Sequence, residues 1–350
     1  MILFKKLKSF FSFIFFLLFK LNKLLYFYRL KRSVSFSSFI ISVGNLSLGG
    51  SGKTPMVELL AKNLYRKNKR LAIISRGYGR SSWFNHIVTR GAGPLISVHT
   101  SGDEPFMLAM SLKKIPIIVG KKIKSISMAI DQFQSKTIIL DDSFQTRSIK
   151  RNLDILLVDL SINIKQYNIF PKGYLREPIE EANRADVIIF TKSGFNRKND
   201  NRVKQIILNR LTNKKTLLFD AQYVFSLKKY LKEKKSFISY NKKINSPSFA
   251  FCGIANSDLF EKEARSACSK NVEFLAFSDH CKYTAYHIQK IKNILIKKKV
   301  SHIITTKKDF FKIQESFSNY EVFIIDLQHK IENEKVLFSF INKQINKYYS

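Results

Sequence analysis

Cysteine is scarce in this chain. Cys252, Cys268 and Cys281 are the only three in 350 residues, and no two of them form a C-x-x-C pair. An odd, sparse count excludes a disulfide framework and a structural zinc cluster, and fits a reducing compartment. Acidic side chains are scarce as well. Asp and Glu total 26 against 61 Lys and Arg, for a formal net charge of +35 and a pI of about 10.0. Such an imbalance attracts polyanions: nucleic acid, anionic lipid or a phosphorylated small molecule. Lysine is nevertheless scattered along the whole chain, so compositional drift accounts for the bulk of the charge as readily as function does. There is no spaced aromatic-basic module of the kind that reads nucleic acid, and no internal repeat at a solenoid period.

An uninterrupted apolar run long enough to cross a bilayer, ~20 residues, is also lacking. The N-terminal stretch comes closest. Its core, Phe10 to Phe19, holds only Ser12 as a polar residue; Lys20, Asn22 and Lys23 then interrupt it before Leu24 to Tyr28 resume. No small-residue cleavage site follows, which argues against a secretory signal. The expectation is a helix lying in the membrane interface, with Lys5, Lys6, Lys8, Lys20, Lys23, Lys31 and Arg32 meeting anionic headgroups. A helix packed on the protein's own sheet is the plainer alternative.

What is present is a hydrophobic content of 45%, ample for packed cores, in a chain long enough for two domains. The most informative stretch is Ile40 to Thr54. Phe39, Ile40, Ile41 and Val43 read as a buried strand. Gly49, Gly50 and Gly52 free the backbone to curl so that successive N–H groups point at one anion. Lys53 puts a cation beside the phosphates, Thr54 offers a hydroxyl to Mg²⁺, and the helix Pro55–Leu64 directs its positive dipole end at the same place. The strict G-x-x-x-x-G-K-[ST] pattern wants glycine where Ser47 stands, with Gly44 further upstream. A bland glycine-rich turn would explain the glycines, but not a Lys-Thr pair at a helix start behind an apolar strand.

Further strands follow at Arg70–Ser75, Ile115–Val119, Thr137–Leu140, Leu153–Leu160 and Asp186–Thr191. Strands alternating with helices predict an α/β fold with a parallel sheet and helices on both faces. Arg76-Gly77-Tyr78-Gly79-Arg80 follows the first of these, and Ser81–Ser101 reads as an irregular or β excursion. Gly102-Asp103-Glu104-Pro105 opens an apolar helix over Phe106–Leu112; taken alone, Asp103 and Glu104 read as helix caps. Asp141 and Asp142 end a buried strand downstream of the phosphate loop, where the carboxylate partner for Mg²⁺ is expected; a simple turn is the alternative. Thr191-Lys192-Ser193-Gly194 has the look of a guanine-reading loop but lacks its Asp. The chain turns polar from Asn196. Lys228–Lys243, with Tyr230, Phe237 and Tyr240 interleaved, reads as a boundary of extended strands. A second α/β unit is predicted from Ser248–Cys252, the helix Ser257–Ser269, Glu273–Phe277, the helix Thr284–Lys298, Ser301–Thr305, Glu321–Asp326 and a closing helix Ile331–Tyr348.

The ordered set GNLSLGGSGKTP, SRGYGR, GDEP, DDSFQ, LREP and FSDH resembles the tetraacyldisaccharide 4′-kinase family, the lipid A 4′-kinases, from about Ser42 to Asp309. Members of that family also carry Ser or Thr at the position of Ser47. The resemblance implies ATP and Mg²⁺ as cofactors, and transfer of the γ-phosphate to the 4′-hydroxyl of a tetraacylated disaccharide 1-phosphate at the cytoplasmic face of a bacterial inner membrane. It implies two α/β/α domains joined by a two-stranded linker, divided here as an N-terminal helix over 1–35, a phosphate-loop domain over 36–215, a linker over 216–246 and a smaller domain over 247–350. Carried over, Ser47, Leu48, Gly49, Gly50, Ser51, Gly52, Lys53 and Thr54 hold the phosphates, with Lys53 also serving catalysis. Thr54, Asp141 and Asp142 hold the metal. Asp103 is the general base and His280 its partner; Arg76, Tyr78, Glu104, Arg176 and Glu177 line the cleft. The partners implied are the acylated disaccharide 1-phosphate and an anionic membrane surface, with no nucleic acid and a monomeric protein. The chain departs from the family at Ser143 and Thr146, where Gly and His are usual, and at Lys307, where Glu is usual. Two rival readings remain: a membrane-bound nucleotide switch without sugar chemistry, and a nucleic-acid ATPase suggested by charge alone.

Overall fold

The computed structural model describes residues 2–67, 70–194, 196–234 and 236–350. The side chains of residues 2–5 and of Arg197 lie outside that description, and with them the headgroup contact expected of Lys5. The strands are β1 (Phe39–Asn45), β2 (Leu71–Ser75), β3 (His86–Thr89), β4 (Ile117–Val119), β5 (Thr137–Asp141), β6 (Leu153–Asp159), β7 (Val187–Thr191), β8 (Leu217–Leu231), β9 (Ser236–Ser239), β10 (Ser248–Cys252), β11 (Val272–Ala276), β12 (His302–Thr305) and β13 (Glu321–Ile331). The α-helices are α1 (Ile2–Phe27), α2 (Lys53–Lys67), α3 (Val98–Ser101), α4 (Asp103–Ser111), α5 (Lys122–Phe133), α6 (Arg197–Arg210), α7 (Ser257–Ser266), α8 (Ala285–Lys297), α9 (Lys307–Ile313) and α10 (Glu334–Tyr349).

The strands form one sheet in the order β11-β10-β12-β13-β8-β7-β6-β1-β5-β2-β4-β3, with β9 beside β8. Its central strands are buried along their whole length, as a parallel sheet covered on both faces requires. Alternate residues of β1 serve opposite cores: Ile41 and Val43 pack with Leu60 and Leu64 of α2, while Ile40 packs with Ile126 of α5. The expected extended boundary is here a ribbon. The first residues of β8 pair in parallel with β7; from Ala221 onward β8 runs antiparallel to β13, whose own start pairs in parallel with β12. Two parallel arrays are thereby joined through one antiparallel seam. The last helix, α10, returns across it and buries Leu337, Ile341 and Ile345 in the same cluster as Ile41 and Leu60.

The helix α1 runs, as expected of a helix, without a break through Lys20, Asn22 and Lys23, the residues that interrupt its apolar run. Lysine stems can lie along apolar surface while their heads reach polar partners, and the Lys23 ammonium lies 2.6 Å from Glu181. Ser12 Oγ donates to the carbonyl of Ile169 (2.8 Å), Phe15 meets Phe170 edge-on, and Arg147 stacks over Phe19. Most of the remaining apolar side chains are exposed, Leu18 by 60% and Phe27 by 76%. The stretch Lys6–Phe27 is long and apolar enough to cross a membrane by length and composition.

Candidate active site

Buried β1 delivers the chain to the phosphate loop, which ends where α2 begins at Lys53. Gly49 and Gly52 have φ of +96° and +77°, conformations that L side chains rarely adopt. The loop is anchored from outside. The Leu48 N–H donates to the Tyr174 carbonyl at 2.7 Å, Ser47 bridges Leu175, and Asn45 Nδ2 donates to the Ser47 carbonyl (2.7 Å). Lys53 Nζ reaches Asn45 Oδ1 (3.2 Å) and lies 3.7 Å from Asp142. Thr54 sits in the first turn of α2. Gly50 is exposed, and the buried Ser51 hydroxyl has no partner. His329, from β13, bonds the Gly52 carbonyl through Nε2 at 2.8 Å. At Gly44 the limit is space: a Cβ there would lie 2.6 Å from the backbone nitrogen of Phe144. Replacing Gly44 by alanine should destabilise the fold by about 3 kcal/mol, read as a lowered midpoint in denaturant unfolding; an unchanged midpoint would show that the loop yields.

Two carboxylates face this loop. Asp141 closes β5 and is 5% exposed. Its Oδ2 accepts from Ser75 Oγ at 3.0 Å, while its Oδ1 has no partner. Burial, with the neighbouring Asp142 charge, raises this carboxyl to about 6. Asp142 adopts φ +46°, and Arg176 Nη1 lies 3.0 Å from each of its oxygens. Burial works against its charge, but Lys53 and Arg176 together hold the carboxyl below its ordinary range. Lys122 donates to the Asp142 carbonyl (2.6 Å) and to Thr146 Oγ1 (3.2 Å). The left-handed residue of this turn is Asp142 rather than Ser143, so serine at the family's glycine position is accommodated. Ser143 Oγ bonds the Asp141 carbonyl.

The unpaired buried Asp141 oxygen, with the Asp142 carboxylate next to it and Lys53 of the phosphate loop nearby, suits a hard cation. Among the described residues no three His, Cys, Asp or Glu side chains converge. That donor set fits Mg²⁺, which keeps several waters and shares its shell with phosphate oxygens.

A second constellation lies at the start of α4. His280 Nδ1 lies 3.1 Å from Asp103 Oδ2, and Lys312 of α9 reaches the same oxygen at 2.7 Å. Burial pushes the Asp103 carboxyl up, but His280, Lys312 and the nearby Lys308 outweigh it and leave the group below its usual value. The hydrogen bond to Asp103 raises the His280 imidazole, against burial. His280 Nε2 lies 3.6 Å from Glu104, and Tyr78 meets the His280 ring edge-on. Gly77 and Gly102 interlock: a Cβ on Gly102 would lie 3.1 Å from Gly77 Cα. The turn carrying Arg76 and Tyr78 is thus seated against the turn carrying Asp103.

Glu104 lies near enough to Asp141 that its charge helps raise that carboxyl, and the Arg76 charge helps lower Lys122. The two constellations are joined through one turn: Ser75 Oγ bonds Asp141, the Gly77 N–H donates to Ser75 Oγ, and Gly77 packs against Gly102 just before Asp103. Glu177 does not join them. It is 4% exposed and is taken up by Arg184 (2.8 Å) and Arg147 (3.8 Å), in the ion-pair network that also reaches α1 through Glu181 and Lys23. The Thr191-Lys192 segment borders the phosphate loop through Thr191 Oγ1 and the Ser51 carbonyl. Lys192 itself is buried against Asp159 at 2.6 Å.

Lys122, Lys312 and His329 are site neighbours that sequence reasoning missed. The first two lie on helices it did not anticipate, and His329 lies on a strand that runs five residues past its expected end.

A phosphate loop, a strand-end carboxylate pair and a basic cleft in an α/β sheet define a phosphate-loop phosphotransferase. A family profile for tetraacyldisaccharide-1-P 4′-kinase matches residues 4–346. The chain is 38% identical over 305 residues to a tetraacyldisaccharide 4′-kinase of Desulfotalea psychrophila, covering 85% of each chain. It is 30% identical over 345 residues to one of Halothermothrix orenii, covering 93% of this chain and 89% of that one. A crystal structure of LpxK from Aquifex aeolicus in complex with ATP superposes with a TM-score of 0.75 at 27% identity, over 96% of this chain and 97% of that one. The chain belongs to the tetraacyldisaccharide-1-P 4′-kinase family, and it is a kinase.

Proposed function

We propose that this protein transfers the γ-phosphate of ATP to the 4′-hydroxyl of a tetraacylated disaccharide 1-phosphate, forming the 4′-phosphate of the lipid A precursor. The observation that carries this reading is that the Asp103–His280 pair sits beside the turn whose Ser75 bonds Asp141, the carboxylate next to Asp142 and Lys53 of the phosphate loop. The loop residues Ser47 to Thr54 cradle the phosphates, and Lys53 stands where charge builds on the transferring group. Thr54, Asp141 and Asp142 would hold Mg²⁺, which when bound neutralises phosphate charge. Arg176 holds Asp142, while Arg76 and Tyr78 meet the acceptor. Asp103 orients the 4′-hydroxyl and receives its proton as the new bond forms; His280 donates to Asp103 and steadies it.

The acceptor is an acylated lipid, so the site must work at a bilayer. The exposed apolar face of α1, framed by lysines, supports a monotopic attachment at the cytoplasmic face of the inner membrane. We assign residues 36–215 to the phosphate-loop domain, 216–246 to the linker and the chain from 247 to the second domain, with α10 counted back with the first because of its packing.

The test is the purified protein in detergent micelles with ATP, Mg²⁺ and the disaccharide 1-phosphate. ATP consumption that depends on the disaccharide supports the reading. Nucleotide binding without acceptor-dependent turnover would favour the switch reading instead. Removing α1 should abolish sedimentation with anionic vesicles while leaving nucleotide binding intact; vesicle binding that survives would place the membrane contact elsewhere.

A further inference from the structure

We propose that Lys312 is a positioning residue for Asp103: it fixes one carboxylate oxygen so that the other is presented to the acceptor hydroxyl. The inference rests on the reading of Asp103 as the base and goes beyond it by adding a group from a different element. Lys312 Nζ and His280 Nδ1 converge on one atom, Asp103 Oδ2, at 2.7 and 3.1 Å. Asp103 Oδ1 carries neither contact. A carboxylate held by two donors on one oxygen loses most of its freedom to rotate, and its remaining lone pairs point one way.

Lys312 is built for this placement. Its side chain is only 8% exposed, which is unusual for lysine unless it is paired. Its ammonium also donates to the Cys281 carbonyl at 3.1 Å, next to His280 in the chain. Phe311 packs edge-on against Phe106, with ring centroids 5.6 Å apart, which seats α9 on α4 one turn beyond Asp103. Lys312 therefore ties the base, the histidine loop and α9 into one unit.

The groups facing Asp103 are His280 from the loop after β11, Lys312 and Lys308 from α9, and Glu104 beside it on α4. Of these, Lys312 is the cation in direct contact. A cation held against a carboxylate favours the ionised form, so Lys312 keeps Asp103 ready to accept a proton at neutral pH. A base held this way is a weaker base. Phosphoryl transfer tolerates that, because its loose transition state asks for alignment more than for early proton removal.

Lys312→Met should lower kcat by about tenfold or more while KM for ATP moves by less than about twofold. The acid limb of the kcat/KM profile should move to higher pH, since loss of the cation raises the Asp103 carboxyl. Lys312→Arg, which keeps the charge, should recover most of kcat and return the limb to its wild-type place. An unmoved limb with unchanged kcat would overturn the proposal. So would a fall in kcat with an unmoved limb and no rescue by arginine, because that is the signature of packing alone. Should Lys312→Met fail to fold, Lys312→Gln carries the same expectation for the limb. The Asp103 carboxyl resonance in protein labelled at aspartate gives a readout without turnover. It should titrate at higher pH in the Met variant than in wild type; coincident titrations would overturn the assignment, whereas wild-type protein that forms no product would overturn the acceptor reading and leave this comparison standing.

Discussion

Asp103→Ala should lower kcat for disaccharide phosphorylation by about 10³-fold, within the range that a positioned general base contributes, and leave ATP affinity within about twofold of wild type. The asymmetry follows from where the side chain points. Asp103 contacts His280 and Lys312 rather than the phosphate loop, so its loss touches the acceptor half of the cleft. Removing a charge pinned between two donors also leaves Lys312 buried without its carboxylate, which costs stability. Asp103→Asn is therefore the cleaner control, since it keeps the shape and loses the base. Comparable kcat values in Asn and Ala variants, with folding confirmed by unfolding midpoints, would assign the effect to proton acceptance. Unchanged turnover in both would remove Asp103 from the mechanism. Parallel loss of ATP binding would show that its role is to hold the loop.

Lys53→Ala should act on the other half. Its ammonium lies between Asn45 of the loop and Asp142, at the place where a γ-phosphate would be met. Losing a preorganised cation in such a site costs about 10²–10³ in kcat, and here nucleotide affinity should fall as well, by about tenfold. Among the described residues Asp142 would keep only Arg176 as its direct ion pair, so its carboxyl should titrate higher than in the wild type. KM for the disaccharide should hardly move. A variant that binds ATP normally and loses only acceptor affinity would contradict the placement of Lys53. Together the two substitutions separate the donor and acceptor halves: Asp103 should change kcat alone, and Lys53 should change kcat and nucleotide affinity together.

The parts of this architecture legible in the sequence are those whose signal is local. A buried parallel strand is a short apolar run, and a phosphate loop is a run of glycines ending in Lys-Thr; both reveal themselves within about fifteen residues. The helix starting at Lys53 and the strand ending at Asp141 lie within a residue or two of expectation. The helices α5, α6 and α9 went unread because lysine, serine and asparagine dilute their apolar faces; α5 buries little beyond Ser125, Ile126 and Ala129. Without α9 in view there was no reason to single out Lys312, whose meaning lies in a contact with a residue more than two hundred positions earlier. Glu177 shows the converse. A motif can mark a residue as important without showing what it touches, and the side chain sits in an ion-pair network with Arg184 and Arg147. The ordered motifs carried the family and the reaction class further than any single residue could.

The most direct measurement of the central claim is the position of the phosphate in the product. Wild-type protein in micelles, given ATP, Mg²⁺ and the disaccharide 1-phosphate, should yield a second phosphomonoester whose phosphorus resonance couples to the proton at the 4′ carbon, and Asp103→Ala should yield none above background. Release of inorganic phosphate alone, or a phosphate placed elsewhere on the sugar, would contradict the account of one cleft in which a gripped triphosphate meets an aligned 4′-hydroxyl.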